Sequence, residues 1–367
     1  MCDLNRVQLG DLLDYEQPTR YIVSSTDYDD TYDTPVLTAG QTFILGYTNE
    51  TKGIYKASKS NPVIIFDDFV TSFYLVDFDF KVKSSALKIL KPKKGVNIYY
   101  VYYAMLGINF VPKEHARHWI SKYSLFEISY PSLAKQQEIV SHLDTFTTLI
   151  SNLESELDMR RKQYEHYRNQ LLDFEGVEIK TLNEIADIVV GFPFDSSKFV
   201  DKGTRLMRGM NIKRGYLDFD DSLNKYWNTT DGLQKYELKA NDIVISMDGS
   251  LVGRSFAIIE QKHLPLLLVQ RVARIRSNYN IKFIYYNICM FFSDYVDKKK
   301  TAGAIPHISM KDIQNFSIPF PSSEAQQEIV EKLDAFENLI QSLEQEIKLR
   351  KQQYEYYREK LLTFEKE

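Results

Sequence analysis

PSLAKQQEIVSHLDTFTTLISNLESELDMRRKQYEHYRNQLLDFE (131–175) returns as PSSEAQQEIVEKLDAFENLIQSLEQEIKLRKQQYEYYREKLLTFE (321–365). Aligned without a gap, about 25 of the roughly 45 positions are identical, which marks an internal repeat rather than shared composition. Each copy closes a longer segment, 1–130 and 177–320, and those two segments are unlike each other. A chain ordered as variable module, fixed helix, variable module, fixed helix holds its frame constant and varies what it recognises.

Within the first copy Ile139, Leu143, Phe146, Ile150, Leu153 and Leu157 alternate steps of four and three, and Arg160, Tyr164, Tyr167 and Leu171 continue them. The second copy repeats this through Ile329, Leu333, Phe336, Ile340, Leu343 and Ile347, then Arg350, Tyr354, Tyr357 and Leu361. Sustained 3-4 spacing predicts one apolar seam along a helix and a partner helix of like pattern. Pro131 and Pro321 set the entry to each helix. A helix of about 37 residues is roughly 55 Å long at 1.5 Å per residue. The simplest partner of one copy is the other; the alternative is that each packs separately on its own module. Arg160 and Arg350 interrupt the seam, either fixing register or burying their stems with the charged heads in water. Gln136, Gln137, Glu138 and Gln326, Gln327, Glu328 suit the positive end of a helix dipole and offer a docking surface.

The length suits two modules plus the helices. Cys2 and Cys289 are far apart and lack ligand neighbours, so neither a disulfide framework nor a metal site is expected. The apolar run 283–292 is too short and polar to cross a bilayer, and no signal peptide opens the chain, which together predict a cytoplasmic protein. The net charge of −4 is unevenly spread, at about −1 for 1–130, +4 for 177–320, and −3 and −4 for the two repeats. Acidic helices suit protein partners, whereas the second module is basic enough to approach DNA.

Both modules follow one order of elements: a short aliphatic run, a turn-rich stretch, an Asn-led apolar strand (Asn61–Asp68; Asn241–Asp248), a β-rich passage, an aromatic amphipathic segment after Asn97 or Asn280, and a loop with an Ile-Ser pair. The predicted class is α+β. Resemblances to catalytic motifs fail on inspection. Asn61-Pro62-Val63-Ile64 lacks the second proline and aromatic of a methyltransferase loop, and Gly249–Gly253 lacks a P-loop lysine and reads as a hairpin turn. Asp67-Asp68 reads as a solvated turn rather than a metal pair, and His115 with His118 as no ligand set. No nucleophile–base–acid set stands out.

The loops read instead as a DNA surface. Arg205, Arg208, Asn211, Lys213 and Arg214 crowd one stretch, with Ser250, Arg254, the basic loop Lys298, Lys299, Lys300, and then His307 and Ser309. Matching places in module one hold Thr38, Gln41, Thr42, Lys81, Lys83, Arg117, His118, Trp119 and Lys122. Arginine can bind guanine O6 and N7 and asparagine adenine N6 and N7, while lysines grip phosphate.

The twice-used QQEIV opening, TPVLTAGQTFILGY (34–47), NPVIIFDDFVTSF (61–73), RLMRGMNI (205–212), NDIVISMDGSLVG (241–253) and IPHISMKDIQNFSIPFP (305–321) resemble the specificity subunit of type I restriction–modification enzymes. The resemblance covers almost the whole chain. It implies two target-recognition domains of related α/β fold separated by two long antiparallel coiled-coil helices, with domains at 1–130 and 177–320 and helices at 131–176 and 321–367. It implies a double-stranded DNA target in two parts, two methyltransferase subunits and two motor-endonuclease subunits as partners, and S-adenosylmethionine, ATP and Mg in those partners rather than here. Module one begins almost at Met1, so the expectation is a short member of the family without an N-terminal extension or one truncated at the first domain's edge, and LLDFE (171–175) matches LLTFE (361–365) without duplication. An adaptor with two protein-binding ends is the competing expectation.

Overall fold

The computed structural model describes residues 5–38, 42–299 and 306–363. Gln41 and Lys300, expected at the DNA surface, lie outside the described residues, as does Cys2. The chain forms two units, residues 1–156 with 343–367 and residues 157–342, so each unit takes half of each repeat.

In the first unit the buried run Val63–Asp67 pairs antiparallel with Leu87–Pro92 on one side and Phe73–Val76 on the other, and Leu13–Glu16 completes a four-stranded sheet beyond Leu87–Pro92. Alternation along these strands gives the sheet two apolar faces. Ile64, Phe66 and Leu90 face the helical side, while Val63, Ile65 and Ile89 face a second cluster. A three-stranded sheet places Thr34–Leu37 between antiparallel Ile44–Thr48 and parallel Lys81–Val82. Asn5–Gln8 pairs with Glu127–Tyr130, closing the two ends of the module on each other.

The second unit repeats this topology with other residues. Its four-stranded sheet runs Asp187–Val190, Val272–Arg276, Ile243–Ser246, Phe256–Ile258. Its three-stranded sheet centres on Thr204–Met207, between antiparallel Tyr226–Trp227 and parallel Leu266–Leu268. Ile179–Thr181 pairs with Ser317–Pro319. In both units an asparagine side chain caps the short aromatic helix, Asn97 for Ile98–Met105 and Asn280 for Ile281–Asn287, by accepting the amide three residues on.

The repeats form helices Leu133–Leu171 and Ser323–Thr363, of 39 and 41 residues. In the first unit Phe146 stacks on Tyr357 (ring centroids 5.4 Å) and Glu154 pairs with Lys351 at 2.7 Å. In the second, Phe336 stacks on Tyr167 at 5.4 Å and Glu337 accepts from the Tyr164 hydroxyl at 2.9 Å. Numbers rise on one helix as they fall on the other, so the pairing within each unit is antiparallel. The two aromatic stacks are the same pair of repeat positions used twice.

The seam does two jobs. Ile139 and Leu143 are buried in the core of module one beside Leu9 and Tyr100, where Tyr354, Leu361 and Leu362 also pack. Ile329 and Leu333 do the same in module two, with Tyr164 and Leu171. Helix pairing and packing on the modules, expected as alternatives, therefore occur together. Ile150, Leu343 and Ile347 are also buried, while Phe146, Leu153, Leu157, Phe336 and Ile340 are half-buried. Arg160 and Arg350 are half-buried, and each donates to the glutamine three residues on, Gln163 at 3.0 Å and Gln353 at 3.1 Å. Of the residues expected to offer a docking surface at the helix start, Gln136 and Gln326 are withdrawn from it, while Gln137, Glu138, Gln327 and Glu328 are exposed. Gln136 and Gln326 are buried, and each donates through Nε2 to the carbonyl of Pro131 or Pro321, locking the entry turn.

Candidate nucleic-acid interface

In the second module four chain segments meet at one end of the two sheets. Thr204–Met207 runs out into Arg208, Leu266–Leu268 into Val269, and Ile243–Ser246 into Met247 and Asp248, while Arg271 leads into Val272–Arg276. Backbone bonds tie them: Val269 N to Met207 O at 3.1 Å, Met247 N to Arg271 O at 2.9 Å, and Ile308 N to Met247 O at 3.0 Å. Gly209 packs so closely on Ser246 that a Cβ there would stand 2.8 Å from its Oγ, and that hydroxyl donates to Asp248 O at 3.1 Å. A larger residue at 209 would push the Arg208 loop away from this edge.

The loop after Arg208 is organised by Asn211. It is fully buried, with Oδ1 accepting from Arg208 N at 3.2 Å and Nδ2 donating to Asp218 O at 2.9 Å. This corrects its assignment as a base reader, because both ends of its amide are spent inside the loop. Arg208 donates to Leu223 O at 3.4 Å, Arg205 lies over the Phe219 ring at 4.6 Å, and Lys213 stands 3.5 Å from Asp218. Arg254 pairs with Asp297 at 2.8 Å. Arg214, Ser250, Lys298 and Lys299 are exposed. Ser309 caps the helix Met310–Gln314 by accepting from Asp312 N, and its hydroxyl donates to the Asp312 carboxylate, so it too serves the fold. His307 Nδ1 lies 2.7 Å from Asp248 Oδ1, and Arg271 Nη1 lies 3.5 Å from the same oxygen. Neither Asp248 nor Arg271 is among the residues that the sequence pattern places at the DNA surface.

Module one has the same edge in its own residues. Thr38 follows Thr34–Leu37, and Lys83 follows Lys81–Val82 with its amide bonded to Leu37 O at 2.8 Å. Asp68 N bonds Ala86 O at 3.0 Å and Asp68 O accepts His118 N at 2.8 Å, the pattern made by Met247, Arg271 and Ile308 in the second module. Structural equivalence thus runs Thr38 with Arg208, Ala86 with Arg271, and Asp68 with Met247. The last is one residue out of step with the alignment of Asp68 on Asp248 that the sequence suggests. Thr42, Arg117 and Lys122 are exposed, and Arg117 lies 5.9 Å from the Phe69 ring, which also stacks on His115 at 4.7 Å.

Three module-one candidates are withdrawn from the surface by burial. Lys81 is buried, bonding Lys52 O at 2.7 Å and Glu50 at 2.9 Å. Burial alone would raise the Glu50 carboxyl, but Lys81 and the Ser25 and Ser24 amides outweigh it and hold the pKa below its ordinary value. Trp119 is core, edge-on to Phe66 at 5.2 Å. His118 is buried with Nε2 3.1 Å from Glu114 O. The Asp67-Asp68 turn is likewise buried rather than solvated. Asp67 Oδ1 accepts the amides of Phe69 and Val70, while Asp68 faces Lys88 at 3.2 Å and accepts the Trp119 amide at 2.8 Å. Among the described residues no group of three or more His, Cys, Asp or Glu could hold a metal, and no helix is long and apolar enough to cross a membrane. Gly249–Gly253 lies in the connection between antiparallel strands, as a hairpin requires.

Sequence reasoning also missed how each module grips its repeat. Tyr103 donates to Asp144 Oδ1 at 2.6 Å, and Tyr286 donates to Asp334 Oδ1 at 2.7 Å. Asp144 and Asp334 are repeat mates, and each tyrosine stands six residues after its capping asparagine. That shared offset was the available signal. Burial first, then the bonded aspartate, pushes both phenols well above the ordinary value.

The sequence model described as the type I restriction modification DNA specificity domain matches residues 1–159 and 174–349. The chain belongs to that family. It is 44% identical to the specificity subunit of the type I restriction enzyme EcoR124I/EcoR124II of Escherichia coli, over 98% of this chain and 94% of that one. It is 25% identical to the MjaVIII specificity subunit of Methanocaldococcus jannaschii, over 77% of this chain and 72% of that subunit. The crystal structure of a type I restriction–modification S subunit from M. genitalium superposes with a TM-score of 0.65 at 14% identity, covering 100% of this chain and 97% of that one. A chain from a study of type I system assembly and conformational transition gives 0.54 at 15% identity, covering 97% of each. The fold is that of these S subunits, with two recognition modules and two long helices, and the chain is a specificity subunit.

Proposed function

We propose that this specificity subunit reads a two-part double-stranded DNA target, one part with each module, and presents its helices to partner subunits that carry the chemistry. The observation that carries this reading is the common edge. Both modules bring the same strand ends together by the same backbone bonds, yet fill those places with different side chains. A frame built twice and decorated differently suits two different half-sites. At these edges Thr38, Lys83, Arg117 and Lys122 serve module one, and Arg208, Arg214, Arg254, Lys298, Lys299 and His307 serve module two.

The division into module one (1–130), central helix (131–176), module two (177–320) and distal helix (321–367) follows function: modules read, helices measure and dock. Because the repeats offer the same acidic surface twice, two identical methyltransferase subunits dock on one asymmetric chain, and two motor-endonuclease subunits join them. S-adenosylmethionine, ATP and Mg are used by those partners in the cytoplasm, and this chain brings specificity only.

Exchanging residues 177–320 for the corresponding module of a relative, and mapping methylated bases across a genome, tests the reading. One half-site is expected to change while the other and the spacer persist. A change in both half-sites would overturn it. Removing one heptad from each helix is expected to shorten the spacer and leave both half-sites intact, because one turn of DNA is about 34–36 Å and the helices set the interval.

A further inference from the structure

We propose that Arg271 is a specificity-determining residue of the second module, aimed at a base edge by Asp248, which His307 in turn holds. The inference rests on the DNA-reading function proposed above and adds to it a residue, a mode of contact and a base class.

The backbone of Arg271 has φ +69°, a left-handed conformation that side-chain-bearing residues rarely adopt. Glycine would sit there without strain, and no packing demand selects arginine, since its side chain is 60% exposed. What arginine gains at this place is a fixed direction. Its carbonyl is bonded by Met247 N, and Nη1 stands 3.5 Å from Asp248 Oδ1, an oxygen that also accepts from His307 Nδ1 at 2.7 Å. Asp248 is itself held by Gly249 N bonding Pro306 O at 3.1 Å and by Ser246 Oγ on its carbonyl. Among the described residues Nη2 and Nε have no hydrogen-bond partner, which leaves the outer edge of the guanidinium open.

Two contacts compete for such an arginine, a phosphate and the O6/N7 edge of guanine. The carboxylate of Asp248 decides between them. A phosphate brought to Arg271 would be repelled by the acid that positions it, whereas a neutral base edge would not. Exposed Lys298 and Lys299 in the same module have no such acid partner among the described residues and suit phosphate. The comparison with module one separates specificity from fold. The identical backbone bond is made there by Ala86, with no positive φ, so the fold does not need arginine at this position. Around it Asp248 and His307 replace Phe69 and Arg117, so the whole constellation varies while the frame persists.

The test uses the full chain assembled with methyltransferase subunits, scored by methylation of a DNA library randomised in both half-sites. Arg271→Ala is expected to lose discrimination for guanine at one position of one half-site by about 5- to 150-fold, with the other half-site unchanged. Arg271→Lys is expected not to restore it, because lysine lacks the planar fork. Arg271→Gly relieves the backbone strain, so it is expected to unfold at the same or a higher temperature while losing the same discrimination. Asp248→Asn, a change at a positioning residue, is expected to relax that same position partially. Equal weakening on all sequences, with the salt dependence reduced by about one phosphate, would make Arg271 a backbone contact and overturn the proposal. No change on any sequence would overturn it too. If Arg271 variants are silent while exchange of module two still alters one half-site, only this inference falls. If the exchange is silent as well, the DNA-reading function falls with it.

Discussion

The same backbone position is solved in opposite ways by the two modules. In module one Asp68 and Lys88 form a fully buried ion pair at 3.2 Å, with Lys88 also over the Tyr15 ring at 4.6 Å. In module two the equivalent positions are Met247 and Ala273, both buried in the apolar core. One residue further out the contrast reverses: module one places Phe69 against Arg117, and module two places Asp248 against His307 and Arg271. The bonds of Asp68 to Ala86 and His118, and of Met247 to Arg271 and Ile308, are a matter of backbone, and the charges can sit inside them or outside them.

Breaking the inner pair is expected to have the largest effect. Asp68→Ala strands the Lys88 ammonium and the Trp119 amide, at a cost of about 3–5 kcal/mol in urea unfolding of the full chain. Installing the module-two solution, Asp68→Met with Lys88→Ala, is expected to recover most of that loss, because an apolar pair needs no desolvated charge. Failure of the double variant to exceed the single one would mean the pair is held for more than packing. Asp248→Ala, at the outer position, is expected to cost less than about 1 kcal/mol, since its ion pair is partly exposed.

The tyrosine–aspartate grips sharpen the comparison from the other side, because there the units agree. Tyr103→Phe and Tyr286→Phe are each expected to cost about 1.5–3 kcal/mol, the loss of a hydrogen bond to a charged acceptor. A large difference between them would show that the repeat is held unequally by its two modules. Both phenols are raised in the folded state, so their contribution is fully present below the ordinary phenol value of 10 and falls as pH rises through that value toward the folded one. Wild type is therefore expected to lose stability above that value faster than the double Phe variant, which thermal unfolding against pH measures. Smallest of all, Arg350→Met is expected to shift stability by less than about 1 kcal/mol, because its half-buried head bonds Gln353 and Glu346 along its own helix.

The repeat and its period were legible in the sequence, and with them the helices, the antiparallel expectation and the matching order of elements in two unlike modules. The site was legible only as a neighbourhood. Lys81, His118, Trp119 and Asn211 carry side chains typical of nucleic-acid contacts, yet strand alternation and loop closure turn all four inward. Arg271 went unnoticed for the converse reason: it sits at the mouth of an apolar strand, and no local pattern announces a positive φ or a carboxylate 23 residues earlier in the chain.

By itself the sequence determined the repeated helix, because a 3-4 apolar period over nearly forty residues has one economical solution, and it determined the family through motifs spread along the chain. Tertiary structure alone decided which polar residues face out. Register between strands far apart in sequence sets that choice, and a one-residue offset, such as Asp68 standing where Met247 stands and not Asp248, exchanges inside for outside.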